Sequence, residues 1–419
     1  MSSNGRFGAL VERPFRLLWS GRTASAVGDS LMPVTVTFTV LSVGGSASDI
    51  GLVLATTMVA RMVLLIFGGV LADRLPRRLL LMGSDVFLFC VQTVVGILLL
   101  QGHKSVGMLL VAALCYGAAS AISKPALIGI VPQTVSNARL QQANALMELS
   151  KSGAEILGPA VAGATVALAS PGWVYLLDAA TFLVSAVTVI GLQLAPMADR
   201  EPESFLKNIV GGWREMAART WYWGAVCCHG VWNVGSCAFY VLGPAIVATQ
   251  TGGAASWGLV SASMAGGAVV GSAVALRVQP RRPLVAAHVA LLLVVLQLSA
   301  LIGPSPTGVI MAAGFVSAAG IAYANNLWTT SVQRLIPEKV LSRVNSYDWL
   351  VSFAVAPLGY GAVGPLSEKI GNAATLEIAL VIVIAAATAI MLVPGIRALQ
   401  QTRSGALEGW PELAARGDA

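Results

Sequence analysis

The stretch Gly68–Leu81, GGVLADRLPRRLLL, sets one aspartate and three arginines between two apolar runs. Four explanations fit such a cluster: a catalytic site, a nucleic-acid patch, the border of a membrane, or a moving part. The flanks decide what kind of segment it is. Both are continuously apolar rather than alternating, and each is long enough to cross a bilayer as a helix, which takes roughly 20 apolar residues. The cluster is therefore read as a loop between two membrane helices.

Composition extends that reading to the whole chain. Of 419 residues, 56% are hydrophobic and 11% charged, with a mean hydropathy of +0.77. A soluble domain carries about 25% charged residues, so an ordinary core cannot hide this much apolar surface. Backbone groups in lipid must be satisfied within the structure, which leaves helices or a closed barrel. The unbroken runs select helices. The expected fold is all-α, with twelve spans near 17–42, 49–72, 79–101, 106–132, 141–169, 173–194, 223–249, 256–276, 284–303, 308–333, 343–365 and 373–394. Cys90, Cys115, Cys227, Cys228 and Cys237 all fall in apolar runs and read as small packing residues, not a disulfide framework. Arg13, Arg16 and Arg22 lead straight into the first span, which is not the pattern of a cleaved signal peptide.

Basic residues set the orientation. Both termini and the loops near 73–78, 133–140, 196–222, 277–283 and 334–343 together hold 20 of the 26 lysines and arginines, whereas the opposite loops hold Lys104 and Lys369. A multi-pass protein of the cell membrane with both termini in the cytoplasm is expected. The isoelectric point near 9.4 follows from this asymmetry and needs no nucleic-acid partner. The organisation expected is a six-helix half over 1–195, a linker over 196–222, a second six-helix half over 223–396, and a polar, disordered cytoplasmic tail over 397–419. Within the linker, Phe205, Ile209, Trp213 and Met216 fall on one helical face, as in a helix lying on the membrane surface.

The halves echo one another. Gly51-Leu52-Val53 opens span 2 and Gly258-Leu259-Val260 opens span 8. Pro76-Arg77-Arg78 closes the first of these segments and Pro280-Arg281-Arg282 the second. Leu140, Asn144, Gly158 and Gly163 align with Leu341, Asn345, Gly359 and Gly364. A parallel repeat around a midplane site is a transporter architecture.

On these residues the chain resembles the major facilitator superfamily. Gly69-Val70-Leu71-Ala72-Asp73-Arg74-Leu75-Pro76-Arg77-Arg78 is similar to that family's signature for the loop between helices 2 and 3, with Pro76 where glycine is usual. GAEILGPAVAG, from Gly153 to Gly163, resembles the helix-5 motif of antiporters through Gly158, Pro159 and Gly163, with Ala162 where a second glycine is common. PFRLLWSGRTASAVGDSL, Pro14–Leu31, resembles the twelve-span drug-efflux branch that includes macrolide and siderophore exporters. The resemblance implies a cytoplasmic latch. Asp73 would tie the loop to the start of helix 11, near Ser342 to Asn345, with Gly69 in the signature and Arg74, Arg77, Arg78 and Asp85 completing the network. An anion at a helix N-terminus gains roughly 0.3–1 kcal/mol. The plain alternative for the arginines is anchorage at lipid phosphates.

Ionisable residues inside spans are costly and point to function. Asp29 and Arg61 stand at similar depth in antiparallel spans. They either pair with each other, or Asp29 takes up a proton or a cationic group. Pro33 frees the Asp29 carbonyl from its helical partner, and Glu155 with Pro159 repeats that spacing. Glu148, Lys151 and Glu155 share one stripe of span 5, with Lys124 of span 4 as a further partner. Asp29, Glu155 and Glu148 are the expected proton-coupling acids, since burial favours a protonated carboxyl. Glu155 is expected to be the deepest of the span-5 group. Asp348 would join the latch, and Asp178 either faces the outer cavity or caps a helix. His229 and His288 read as isolated, so no metal or cofactor is expected. Trp232, Asn233, Tyr240, Tyr323, Asn325, Asn326, Trp328 and Tyr347 can either line a cavity for an amphipathic substrate or pack between helices.

The function expected is a secondary exporter that exchanges protons for an amphipathic small molecule (drug, antibiotic, siderophore or secondary metabolite) by alternating access. Its partners would be that substrate, protons and the bilayer, and its working unit a monomer. A lipid flippase or an uptake transporter on the same fold is the alternative. A membrane enzyme lacks a nucleophile–base pair or metal ligands, and no G-x-x-x-x-G-K-[ST] loop offers ATP.

Overall fold

The computed structural model describes residues 8–192, 216–217, 219–250, 252–336, 344, 348, 351–393, 395–401 and 407–408, and for 66–74, 137, 401 and 407–408 the backbone alone. In chain order the long helices are α1 (Arg13–Ser42), α2 (Ala47–Arg74), α3 (Arg77–Leu100), α4 (Val106–Thr134), α5 (Leu140–Leu168), α6 (Pro171–Ile190), α7 (Thr220–Gln250) and α8 (Gly253–Arg277). There follow α9 (Pro283–Leu291), α10 (Val294–Ile302), α11 (Thr307–Leu335), α12 (Ala356–Ile370) and α13 (Asn372–Ile390). Ten helices among the described residues are long and apolar enough to cross a membrane, with Pro283–Ile302 taken as one span. Two expected spans fall outside that set. α5 carries Glu148, Lys151 and Glu155, and the eleventh span is described as a long helix only over Ala356–Ile370.

Two units are resolved. The first comprises Met1–Glu201 with Pro244–Ala262, and the second Pro202–Gly243 with Ser263–Ala419. The partition therefore passes through α7 and α8 rather than between complete helices.

In the first unit α1 packs on α5 and α6, α2 on α4, and α3 on α4 and α6. One core gathers Phe15, Leu18, Leu81, Ile130 and Leu192; another gathers Ile50, Val53, Leu109 and Tyr175. Outward-facing apolar side chains such as Val59, Val63, Phe87, Val94 and Val187 stay exposed, as a lipid-facing surface requires. Helices approach closely where glycine leaves room. A β-carbon on Gly158 would collide with Ser30 of α1, and one on Gly258 would come within 2.6 Å of the Pro159 carbonyl. The helix-5 motif residues Gly158, Pro159 and Gly163 are thus buried at helix crossings. Pro76 stands just ahead of α3, and its carbonyl accepts the Leu79 and Leu80 amides, so proline closes this turn in the place of the family's glycine.

In the second unit α11 packs against α9 and α10, and α13 against α10 and α12. Ser263, Gly267 and Gly271 lie against the backbone of α11, as their spacing predicts, and Ser263 Oγ donates to Met311 O at 2.8 Å. Between α9 and α10 the helical bonding tightens to i−3 at Leu292 and Leu293. Ser317 Oγ takes up the Leu293 carbonyl at 2.7 Å, a cause of helix breaks that needs no proline. The start of the tail is not free: Ile396 and Leu399 are fully buried with Tyr222 and Val332, and Gln400–Gln401 pair antiparallel with Leu407–Glu408. Burial of those two aliphatic side chains offsets the ordering entropy that a free tail would keep. Of the expected linker helix, only Met216 is described among the four named apolar residues; it is buried in the same cluster.

Candidate functional site

Asp29 sits on α1, half-buried, and its Oδ1 accepts a short hydrogen bond from the Tyr116 hydroxyl of α4. The expected pairing with Arg61 is not formed: no ion pair joins them within 4 Å among the described residues, and Arg61 Nε is buried without a partner. Their helices turn these side chains to different neighbours. Arg22, about two turns nearer the start of α1, instead holds Asp85 of α3 at 3.2 Å, and Ser185 Oγ of α6 donates to the other carboxylate oxygen at 2.7 Å. Among the described residues, Asp85 is thus held by Arg22 and Ser185 and not by Arg77 or Arg78. Its side chain is 2% exposed and that of Arg22 13%. Breaking such a pair leaves a buried charge uncompensated.

The loop arginines bind carbonyls instead. Arg77 donates to Gly129 O of α4 at 2.6 Å, where any side chain on residue 129 would strike the guanidinium. Arg78 donates to Val189 O at 3.1 Å and to Ile190 O, the last carbonyls of α6. A cation at a helix C-terminus satisfies orphan acceptors and opposes the helix dipole. Gly69, Asp73 and Arg74 lie on the described backbone of α2, but the Asp73 and Arg74 side chains, like the intended recipient around Ser342 to Asn345, lie outside the described residues.

On α5 Lys151 bridges Glu148 at 3.6 Å and Glu155 at 3.7 Å. The stripe is as spaced, but it is not deep: the Glu148 side chain is 69% exposed and those of Lys151 and Glu155 56%. Lys124 is also exposed. The expectation that Glu155 lies buried in a dry site is corrected, because its stripe lies on the exposed face of α5. Asp178 is neither at a cavity mouth nor a cap. It lies eight residues into α6, wholly buried, with Gln92 Nε2 of α3 donating to Oδ2 at 2.6 Å.

In the second unit, several proposed cavity residues are core. Trp328 is buried, stacks on Tyr222, and donates its indole N–H to Asp348 Oδ2 at 2.8 Å. Ser352 Oγ donates to the other oxygen at 3.0 Å. Among the described residues, Asp348 is held in this cluster. Trp232 is buried, its Nε1 without a partner among the described residues. Asn233 Nδ2 donates to Ser352 O at 2.9 Å. Tyr240, Asn325 and Asn326 remain exposed and Tyr323 half-exposed; Tyr347 lies outside the described residues. His229 and His288 are not isolated. Their Nε2 atoms stand 3.1 Å apart, their rings stack, and both rings meet Trp328 edge-on. His288 Nδ1 lies 2.5 Å from Leu284 O and must carry the proton there, since a carbonyl only accepts. Neutral His288 then accepts at Nε2, and His229 donates. No group of three or more metal-ligating side chains occurs among the described residues.

Sequence reasoning passed over Arg22, Tyr116, Gln92 and the histidine pair. Each is a polar group inside an apolar helix, which is a detectable signal. The identity of the partner is not, because partners 59 to 87 residues apart obey no local spacing.

The sequence profile of the family described as "Transmembrane secretion effector" matches residues 4–416. A protein named "Enterobactin exporter EntS" from Citrobacter koseri is 27% identical over 387 residues, covering 88% of this chain and 89% of that one. One of the same name from Shigella boydii is 28% identical over 263 residues, and there the match spans 62% of each protein. Among solved structures, a bacterial homologue of the iron transporter ferroportin in an inward-facing state superposes with a TM-score of 0.73 at 17% identity, over 91% of this chain and 98% of that one. A bacterial homologue of the human lysosomal transporter Spinster gives 0.72 at 14% identity, over 95% and 98%. At such identities these two likenesses concern the fold alone.

Proposed function

Because the chain belongs to the transmembrane secretion effector family of the major facilitator superfamily, and is a transporter rather than an enzyme, we propose that it is a secondary exporter. It carries an amphipathic small molecule of the siderophore class outward in exchange for protons, by alternating access. The substrate class rests on the relatives named as enterobactin exporters, one of which aligns with 88% of this chain. The coupling ion rests on one observation: Asp29 is an in-span acid with a tyrosine hydroxyl, not a cation, as its hydrogen-bond partner. A carboxyl so placed is relieved of its charge by a proton, and reprotonation after the substrate leaves returns it to the start.

In this reading the 1–195 and 223–396 halves rock about the site with both termini in the cytoplasm, and a monomer suffices. Glu148 and Glu155 of the exposed ladder, bridged by Lys151 and flanked by Lys124, in this reading pass protons between solvent and Asp29. The exposed Tyr240, Asn325 and Asn326 and the half-exposed Tyr323 offer stacking and hydrogen bonds to substrate. Gly69, Asp73 and Arg74 serve the latch, with Arg77 and Arg78 fixing its base on α4 and α6.

Inverted membrane vesicles should accumulate enterobactin when a proton gradient is imposed and lose it when the gradient is collapsed. Asp29→Asn should abolish gradient-driven accumulation while leaving the protein in the membrane. Uptake by wild-type vesicles that ignores the gradient would reject proton antiport. Asp73→Asn should slow transport without preventing insertion; wild-type rates would remove the latch.

A further inference from the structure

Asp178 is a second acid in the first unit, and its surroundings differ from those of Asp85. No cation lies within ion-pair distance of it among the described residues. Oδ2 has a good donor in Gln92 Nε2 at 2.6 Å, and Gln92 is itself buried. Oδ1 does not. Its one hydrogen-bond contact among the described residues is the long one from Thr181 Oγ1 at 3.5 Å, and that hydroxyl lies 2.7 Å from the Asp178 backbone carbonyl. A hydroxyl has one proton, and the short contact takes it. The Thr181 oxygen then faces Oδ1 with lone pairs. Two acceptors facing each other in a buried site are satisfied only if one gains a hydrogen, and a wholly buried carboxylate without a cation is costly in any case.

The same oxygen also lies against α1. A β-carbon on Gly28 would collide with both Asp178 Oδ1 and Thr181 Oγ1, so the unsatisfied side of this carboxyl faces the backbone one residue before Asp29. The titratable groups around Asp178 are Asp29 from α1, Tyr116 from α4 and Tyr175 from the same helix, with the neutral Gln92 from α3. Asp29 in turn feels the cations Arg22 of α1, Arg61 of α2 and Lys124 of α4, and the acid Asp85 of α3, so the cations of this region act on Asp29 rather than on Asp178.

We propose that Asp178 is a second proton-carrying residue of transport, protonated on Oδ1 with Thr181 as its acceptor, and that it shares one negative charge with Asp29 across Gly28. This rests on the proton-antiport reading and extends it from one carboxyl to a pair. Like charges at close quarters do not both ionise readily, so Asp178 keeps its proton while Asp29 is ionised and can release it once Asp29 is reprotonated. Gln92 is the positioning residue: its amide fixes Oδ2 and leaves Oδ1 to bind the proton.

The test uses the full chain in lipid. Infrared difference spectroscopy without substrate should show a protonated-carboxyl C=O band at neutral pH that Asp178→Asn removes. Thr181→Val should move the same band to higher frequency, because the acceptor of the acid proton is lost. In vesicles, Asp178→Asn should bring gradient-driven enterobactin accumulation down to the level seen with the gradient collapsed. If Asp29→Asn fails in transport but Asp178→Asn matches wild type, the second carrier is rejected and the antiport reading stands. If wild type ignores the gradient, antiport falls and with it the carrier role. If Asp178→Asn does not fold, the Thr181→Val band shift decides: an unmoved band overturns the assigned proton.

Discussion

The interiors of the two units solve the same problem with different chemistry. The first holds three acids on adjoining helices, and each has a different kind of partner: Arg22 for Asp85, Tyr116 for Asp29, Gln92 for Asp178. The second holds a neutral imidazole pair, two stacked aromatic rings, and Asp348, whose oxygens accept from an indole and a hydroxyl. One interior is graded in charge, from a full ion pair to an acid without a cation. The other is a network of neutral hydrogen-bond donors around one carboxyl. Sites that must gain and lose a proton fit the first kind, and a rigid polar core fits the second.

Removing the cation from the first interior should have the largest effect. Arg22→Ala leaves Asp85 buried and unpaired, with an expected loss of about 3–5 kcal/mol in unfolding of the purified protein. The double change Arg22→Met with Asp85→Leu should recover most of that, because it removes both desolvation terms. Equal stability of Arg22→Ala and wild type would break the contrast. In the second interior, Trp328→Phe keeps a ring against Tyr222 but takes the N–H from Asp348, which should lower stability by roughly 1.5–3 kcal/mol. His288→Leu strands the His229 donor, at about 1–3 kcal/mol for an unsatisfied buried group; His229→Phe added to it should be close to neutral.

The smallest effect belongs to a pair outside both interiors. Glu12 gains a raising effect from burial, but the Ser136 hydroxyl and amide and the Arg139 guanidinium outweigh it and hold the carboxyl below its usual 4.5. A lowered folded pKa adds stability above the unfolded value and loses it as pH falls through the folded one. Glu12→Gln should therefore cost up to about 1 kcal/mol at neutral pH, and the gap to wild type should close under acid titration well below pH 4.5. A gap that persists in acid would show that the charge is not its source.

Some of this was legible before any coordinates. Continuous apolar length marks Val106–Thr134 or Pro171–Ile190 as membrane helices, because crossing lipid is a property of the segment itself. The small residues Ser263, Gly267 and Gly271 mark a helix contact, because helix spacing repeats locally. Pro76 and the arginines after it mark a helix boundary for the same reason. The candidate site was legible only in part. Asp29 stood out as an acid in a greasy segment, and so did Glu155, yet one is half-buried beside Tyr116 and the other exposed beside Lys151.

Sequence by itself determined the solvent, the helices, their order and the depth of each charged residue along its helix. Only the tertiary structure decided azimuth, the direction in which each helix turns its side chains. Asp29 and Arg61, expected at one depth, form no ion pair among the described residues; Arg22 and Asp85 do. His229 and His288 meet because α7 and α9 present those faces to Trp328. Depth is counted in residues along one segment, at a fixed rise per residue. Azimuth is set by how ridges, glycines and grooves of several helices fit together, and that is a property of the packed whole.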